Sequence, residues 1–347
     1  MTAVEPPAST AQHPAAHGAG TGWSEIYMGG SPAAERELVS NVMPLITRIQ
    51  DVVAARQHST VRRAFHNKGT VVRIEFEVAA RLPEALREGL GFLRPGASYA
   101  GFGRFSRSQS VRQRDGDPDQ RGFAFRIETL DGPQDILCSN TPSSFARDPV
   151  QFMTVAMLFA ERPLLLAALR VLPAVGVGEG IRILVDLVRA PDRSVAFTAQ
   201  RYWSRTPFQI GDAAARLFVR PTAAVRRIQK SKDADYLTTD LAAELRARPR
   251  TFELCAQLFV DEQRTPIEDS SRIWNEKVAP PIVLGTVRVL QQDLDSADAR
   301  ALAQRVETLE AFNPIVTAHL RPLGRMNRAR VSAYTLSAEH RGARSPG

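Results

Sequence analysis

A ten-residue stretch, TVVRIEFEVA at residues 70–79, alternates apolar and polar side chains and gives the clearest strand signal in the chain. Its apolar face carries Val72, Ile74, Phe76 and Val78. Alternation of this kind is typical of a β-strand that is buried on one face and exposed on the other. Such a strand needs neighbours with the same pattern, so we expect a sheet or barrel with one apolar side.

Shorter strand signals recur along the chain, with glycine, proline and aspartate between them. They predict strands at residues 97–106, 122–128, 134–138, 194–203, 214–219, 252–261 and 282–292. Helical periodicity predicts helices at residues 33–56, 149–172, 178–187, 239–248, 296–310 and 325–340. Regularly spaced strands joined by turns favour an antiparallel sheet or barrel over a parallel one. The predicted fold class is therefore α+β, with helices flanking a strand-rich centre.

The composition is that of an ordinary globular protein. The 347 residues, 44% of them hydrophobic, are enough to bury a substantial core. Residues 1–22 are rich in proline and small side chains and are predicted to be a disordered tail, which leaves residues 23–347 as one domain. This tail lacks a secretion-signal pattern, and two distant cysteines do not suggest a disulfide framework. We therefore expect a cytoplasmic location.

The chain is basic, with a formal net charge of +8 and a sequence pI near 10.0. Arginine greatly outnumbers lysine, and no nucleic-acid-binding motif accompanies the arginine pairs, so we do not expect a nucleic-acid partner. The most apolar run, residues 164–177, contains Arg170 and Pro173 and is shorter than the roughly 20 residues that a membrane-spanning helix needs. No transmembrane segment is expected.

Three segments in the first half of the chain bring together residues that could carry chemistry. The segments read RRAFHNKG, then GRFSRSQSV followed by RGFAF, then DILCSNTPSSFARDPVQF. Their residues of interest are Arg63, His66, Arg104, Ser106, Ser139, Phe145 and Phe152. A histidine can move protons near neutral pH. Each motif taken singly is nevertheless weak evidence, since an isolated histidine or phenylalanine is more often a surface or core residue.

The last predicted helix contains RARVSAYTLSAEHR, in which Arg330 and Tyr334 stand four residues apart. Side chains at this spacing project from one helical face, so the guanidinium can reach the phenol oxygen. A fixed positive charge beside a tyrosine favours the phenolate form. A phenolate, unlike a neutral phenol, is a competent iron ligand.

Taken in order, these motifs resemble those of the haem catalase superfamily. Members carry an arginine, two apolar residues and a histidine, then RFS, RGFA, NNTP, a phenylalanine before RDP, and a tyrosine helix with an arginine one turn earlier. The resemblance extends from Arg63 to Arg341 and is strongest at its two ends. It implies a catalase-like antiparallel β-barrel with flanking helices, a C-terminal haem-ligand helix, and haem b (iron protoporphyrin IX) as the cofactor.

The resemblance also implies a role for each motif residue. His66 would be the distal acid/base, with Ser106 as its orienting partner. Tyr334 would be the axial iron ligand, supported by Arg330. The remaining implied haem contacts are Arg63, Arg104 and Arg341 at the propionates, and Phe145 and Phe152 at the distal porphyrin face.

The chain departs from the family pattern in the distal pocket. Ser139 stands where the first asparagine of NNTP helps hold peroxide in catalases, and serine is shorter although it can still donate a hydrogen bond. Phe65 precedes the histidine where catalases carry a smaller aliphatic residue. The family's aspartate after the tyrosine is also missing, and we expect neither a helical C-terminal domain nor a nicotinamide site.

These observations predict a small catalase-related peroxidase that reduces hydrogen peroxide or organic hydroperoxides. The reductant and the preferred peroxide stay open. One alternative is a fatty-acid hydroperoxide isomerase or dehydratase that resembles an allene oxide synthase. Another is a haem-binding protein without turnover, against which the retained His66 and Ser106 argue. The same resemblance leaves a homo-oligomer open.

Overall fold

The computed structural model describes residues 21–58, 63–83, 86, 91–110, 112–117, 119–188, 194–229, 231–308, 312 and 320–342. Nearly all of the predicted tail, residues 1–20, lies outside this set, so its disorder stays a prediction. The last two residues of the helix predicted at 296–310 also lie outside it.

Eight antiparallel strands close into a barrel. Their bounds are β1 Lys68–Val78, β2 Ser98–Arg107, β3 Arg121–Thr129, β4 Gly132–Ser139, β5 Tyr202–Ile210, β6 Ala213–Pro221, β7 Arg250–Leu258 and β8 Ile282–Val289. Neighbouring strands follow the order β4-β3-β2-β1-β8-β7-β6-β5, and Ser139 pairs with Trp203 to join β4 to β5. A short strand β9, Arg321–Pro322, pairs with β5. The predicted antiparallel barrel and α+β class are confirmed.

The apolar face of β1 points into the barrel, as its alternation predicts. The side chains of Val72, Ile74, Phe76 and Val78 are at most 2% exposed. They join an aromatic core from the other strands that includes Phe105, Phe123, Phe125, Tyr202 and Phe252. Burial of one such side chain stabilises the fold by about 1.5–3 kcal/mol, so the barrel interior is the main source of stability.

Helices cover the outside of the barrel. Their bounds are α1 Pro32–Val42, α2 Pro44–Gln57, α3 Pro149–Glu161, α4 Leu164–Val175, α5 Val177–Val188, α6 Tyr236–Ala247, α7 Ala297–Thr308 and α8 Arg325–His340. Two predicted helices, 33–56 and 149–172, are each divided in two, at Pro44 and before Leu164. Proline lacks an N–H group, so Pro44 and Pro163 favour the start of a new helix over continuation of the old one.

The prediction of a strand at residues 194–203 is wrong for most of this range. Phe197–Ala199 form a short 3-10 turn, and the strand runs from Tyr202 to Ile210. The apolar residues before Tyr202 are buried on all sides, and the Tyr202 hydroxyl donates to the Phe197 carbonyl at 2.7 Å. Their hydrophobicity reflects burial of a compact turn, which a short apolar run does not distinguish from a strand.

A second apolar core lies among four helices. Side chains of α1, α2, α3 and α8 pack there around Ile49, Met153, Met157 and Ala329. Ala64 is part of the same core, and Phe65 packs against it. The segment that leads into β1, which carries the predicted distal histidine, is therefore held between the barrel and these helices.

Candidate active site

His66 adopts a strained backbone conformation immediately before β1. Its φ of 59° lies in the left-handed region, which is uncommon for residues other than glycine. The His66 amide donates to the Ser108 carbonyl at 3.3 Å, and Nδ1 of His66 is hydrogen-bonded to Oγ of Ser106 at 2.9 Å. Strain of this kind persists where surrounding contacts enforce it, and it concentrates at functional sites. The predicted pairing of His66 with Ser106 is therefore present.

A glycine beside this pair explains the RGFA motif. Gly122 lies on β3 opposite Ser106 of β2. A Cβ atom at Gly122 would lie 2.8 Å from Oγ of Ser106 and 2.9 Å from Cε1 of His66. Any larger residue would therefore push the imidazole out of its place.

Ser139 continues the same row across the barrel wall. It pairs with Gly122 on the other side, so Ser106, Gly122 and Ser139 occupy adjacent positions on three neighbouring strands. Among the described residues, Oγ of Ser139 is a buried hydroxyl that finds no hydrogen-bond partner. A buried polar atom without a partner is costly and indicates a bound molecule or a functional role. This orphaned hydroxyl lies close to the His66–Ser106 pair.

The electrostatic environment keeps His66 neutral. Burial is the largest cause that lowers its pKa, and together with the positive charges of four nearby arginines it brings that pKa to about 3; the arginines are Arg104, Arg205, Arg63 and Arg330. The imidazole is therefore uncharged throughout the physiological pH range, and its protonated form would be a strong acid.

A phenylalanine cluster lies beside the histidine. The rings of Phe145 and Phe152 stack with centroids 5.0 Å apart, and Phe65 meets Phe152 edge-on at 5.7 Å. Phe152 is placed by the start of α3, where the Asp148 carboxylate accepts from the Gln151 amide at 2.8 Å. Pro149 follows this cap at a position where its missing N–H costs nothing. The RDP motif is thus a helix start that directs Phe152 to the cluster.

Three of the predicted haem-contacting residues converge on Glu307, a residue that the sequence did not reveal, and two of them reach its carboxylate. Arg104 donates from Nε and Nη2 to the two oxygens of Glu307, and Nη2 of Arg63 lies 3.3 Å from Oε2. Nη1 of Arg341 reaches the Glu307 carbonyl at 3.5 Å. A Cβ atom at Gly69 would overlap the Arg104 guanidinium, so a larger residue there would displace this group from Glu307. We call Arg63, Arg104, Arg341 and Glu307 the arginine cluster.

The charges of the arginine cluster do not balance. Burial would raise the pKa of Glu307, but Arg104, Arg63 and Arg341 outweigh it and lower that pKa. Burial also lowers the pKa of Arg63 to about 9, and the charge of Arg104 acts in the same direction. Within the cluster, three guanidinium groups lie around one carboxylate, an arrangement that suits a further ligand carrying carboxylates.

The predicted iron ligand lies on α8, which is tied firmly to the rest of the protein. Arg328 binds the carboxylates of Glu25, Glu35 and Glu268, with contacts of 2.7 Å, 2.5 Å and 2.9 Å. One turn from the half-buried Tyr334, Arg330 donates from Nη1 to Thr206 at 3.1 Å and to Asn327 at 3.2 Å. The predicted approach of this guanidinium to the Tyr334 phenol stays a prediction.

Arg205 is a second residue that the sequence did not reveal. It lies in a bulge of β5 with a φ of 63° and donates to Gln120 and Thr141. Burial lowers its pKa to about 9, with a smaller contribution from the nearby charge of Arg330. Both of these partners are uncharged, so Arg205 adds a positive charge near both His66 and Arg330.

Comparison with known proteins identifies the family. A model of the family "Catalase" matches residues 42–163. A catalase-related peroxidase from Mycolicibacterium paratuberculosis (strain ATCC BAA-968 / K-10) is 30% identical over 253 residues, which are 67% of this chain and 75% of that protein.

Solved catalases share the fold. A bacterial catalase superposes with a TM-score of 0.65 at 19% identity, over 80% of this chain and 57% of the catalase. Catalase A from Saccharomyces cerevisiae gives a TM-score of 0.67 at 17% identity, over 80% of this chain and 60% of the catalase. The chain therefore spans less than two thirds of these larger proteins. The 30% identity with the catalase-related peroxidase, together with the matching family model, shows that this chain is a member of the catalase superfamily.

Proposed function

We propose that the chain is a haem-dependent peroxidase that reduces organic hydroperoxides or hydrogen peroxide. The observation that carries this proposal is the orphaned hydroxyl of Ser139 beside the His66–Ser106 pair. A proton-moving base and an unused hydrogen-bonding group at the same place suit a small polar molecule that loses and gains a proton.

Haem b fits the residues around this place. The guanidinium groups of the arginine cluster suit the two propionates, which Arg63, Arg104 and Arg341 would hold. Tyr334 would be the iron ligand, with Arg330 as its supporting charge. Phe145 and Phe152 would lie against the porphyrin. When bound, haem supplies the redox equivalents that split a peroxide bond, which no side chain of the cluster could supply.

The protein's own contribution is proton movement. With Nδ1 of His66 donating to Ser106, the Nε2 lone pair is free to accept the proton of a hydroperoxide. The low pKa of His66 keeps this nitrogen unprotonated, and it makes the protonated ring a ready donor to the departing oxygen. The Ser139 hydroxyl would donate a hydrogen bond to the peroxide and orient it. The phenylalanine cluster would exclude water.

The phenylalanine cluster favours an apolar hydroperoxide over hydrogen peroxide. Phe65, Phe145 and Phe152 offer a surface on which an alkyl or aryl group can pack, and Ser139 leaves more room than an asparagine would. The same cluster suits the alternative reaction, which is isomerisation or dehydration of a fatty-acid hydroperoxide without an external reductant. The products separate the two, because a peroxidase yields the corresponding alcohol and an isomerase leaves the oxidation level unchanged.

The first experiment is to load the protein with haem and supply cumene hydroperoxide or hydrogen peroxide, with and without a reducing dye. We expect dye oxidation that is lost in His66→Ala, while the variant keeps its haem spectrum. Tyr334→Phe should change that spectrum. A wild-type protein that does not retain haem would contradict the proposal, and unchanged turnover in His66→Ala would favour a haem-binding protein without inherited catalysis. A cytoplasmic location and a homo-oligomer stay predictions, and the identity of the reductant stays open.

A further inference from the structure

Six exposed aliphatic side chains lie together on α4 and α5. We call them the hairpin face: Leu165, Leu166, Leu169, Val177, Ile181 and Val185, which are 41–73% exposed. Fourteen large hydrophobic side chains are exposed among the described residues, and six of them lie between residues 165 and 185. Scattered exposed aliphatics need no explanation, but a contiguous group of this size indicates an interaction surface.

The two helices hold this face open to solvent by close packing on their other side. Gly176 joins them with a φ of 89°, and a Cβ atom at Gly180 would lie 3.0 Å from Cα of Leu172. Val171 and Ile183 are fully buried against α3. On α5 the exposed residues recur every four positions, which places them on one side of the helix. The hairpin face is therefore an ordered surface whose opposite side forms part of the core.

The charges around the hairpin face are asymmetric. The acidic residues of this region are all paired: Glu161 with Arg48, Glu179 with Arg147 and Arg182, and Asp186 with Arg182. The exposed ionisable side chains between residues 162 and 187 are those of Arg162 and Arg170. Among the described residues, no carboxylate pairs with either of these two arginines. The face is thus apolar with an unbalanced positive charge beside it.

We propose that the hairpin face docks on a lipid bilayer that contains anionic headgroups. An amphipathic helix with aliphatic residues on one side and arginines at its border lies in the interface of such a bilayer. The phosphates would pair with Arg162 and Arg170 while the leucines enter the acyl region. A second copy of the chain fits less well, because a two-fold interface places the same patch against itself and offers these arginines no acid.

The hairpin face is directly linked to the candidate active site. Nη2 of Arg182 on α5 donates to the Phe145 carbonyl at 2.7 Å, and Gln151 of α3 donates to Glu179 at 3.0 Å. Docking would therefore place the phenylalanine cluster behind the one layer of helices that contacts the lipid. On the basis of the proposed function, this points to membrane-lipid hydroperoxides as the substrate class. The docking itself does not depend on catalysis.

The test is flotation with vesicles of phosphatidylcholine alone or with a quarter of phosphatidylglycerol, using the full chain. We expect binding to the mixed vesicles and a drop on the order of tenfold or more in the triple variant Leu165→Ser, Leu169→Ser, Ile181→Ser. Arg162→Gln with Arg170→Gln should weaken binding several-fold and reduce its salt dependence. The matched control is Leu130→Ser, which removes an 86% exposed leucine from the β3–β4 turn.

Three outcomes would overturn the proposal. They are absence of wild-type binding to either vesicle, equal binding by the triple variant, and a wild-type oligomer that the triple variant dissociates without any lipid binding. The last outcome would assign the face to a second copy. Unchanged thermal unfolding of the triple variant is the folding control, since exposed side chains add little to stability. Vesicle binding by haem-free protein and by His66→Ala keeps this result separate from the proposed peroxidase activity.

Discussion

Arg104 donates to both carboxylate oxygens of Glu307, although 203 positions separate the two residues. Arg104 is 3% exposed, and Arg63 approaches the same carboxylate from the segment before β1. Without this carboxylate, buried guanidinium groups would face one another. Glu307 therefore joins α7 to the barrel and also sets the charge that the arginine cluster offers to a ligand.

Glu307→Gln should destabilise the haem-free protein by about 3 kcal/mol, because it leaves buried arginines without their anion. Added haemin should restore much of the lost stability, since its propionates would supply new anions and ligand binding favours the folded state. Thermal unfolding with and without haemin measures both effects. Glu75→Gln, which removes an exposed carboxylate 3.7 Å from Arg288, is the control and should cost less than about 1 kcal/mol. Equal stability of the two variants would show that the cluster is not held by Glu307.

The haem-free protein should lose stability as the pH falls from about 6.5 toward 3. The folded pKa of His66, about 3, lies below the ordinary histidine pKa of about 6.5, so within this window the unfolded chain binds a proton that the folded chain does not. Above pH 6.5 neither state binds it, and the contribution is constant. Glu307 has a lowered pKa and adds a similar loss only below about 4.5. Between pH 6.5 and 4.5, the free energy of unfolding should fall by roughly 1–2 kcal/mol less in His66→Gln than in the wild-type protein. An equal fall in both proteins would argue against the low pKa of His66.

Ser139→Ala should leave the free energy of unfolding unchanged or slightly higher. The hydroxyl that it removes is buried without a partner, so its loss relieves a cost and breaks no bond. Turnover of hydroperoxide by haem-loaded protein should nevertheless fall. Ser106→Ala is the matched comparison and should cost about 1 kcal/mol, because it removes the hydrogen bond to His66. A comparable loss of stability in both variants would mean that Ser139 already has a partner within the protein.

Arg205→Gln should raise the pKa of His66, because it removes one of the positive charges that oppose protonation of the imidazole. The acid limb of the rate profile of haem-loaded protein should therefore move to higher pH. Arg201→Gln is the control from the same region, since Arg201 is bound to Glu276 at 2.7 Å. If neither variant shifts the pH at which the rate falls on the acid side, Arg205 does not influence the pKa of His66.

Helices and strands were largely predictable because periodicity depends on residues close together in the chain, and the helix that begins at Pro149 is one example. The His66–Ser106 pair was implied only by the family resemblance, since 40 positions separate the two residues. The prediction of a strand at residues 194–203 failed because it used only a local pattern of hydrophobicity. The stretch before Tyr202 is hydrophobic because a compact turn is buried there, and periodicity does not distinguish this from a strand.

The sequence by itself determined which residues of β1 face the core and that Arg330 and Tyr334 share a helical face. These properties follow from the fixed periods of strands and helices, which bring together residues two, three or four apart. Only the tertiary structure decided that Ser106, Gly122 and Ser139 form one row, that three arginines meet Glu307, and that the hairpin face stays exposed. Strand register and helix docking set these contacts between distant segments, and no local pattern encodes either.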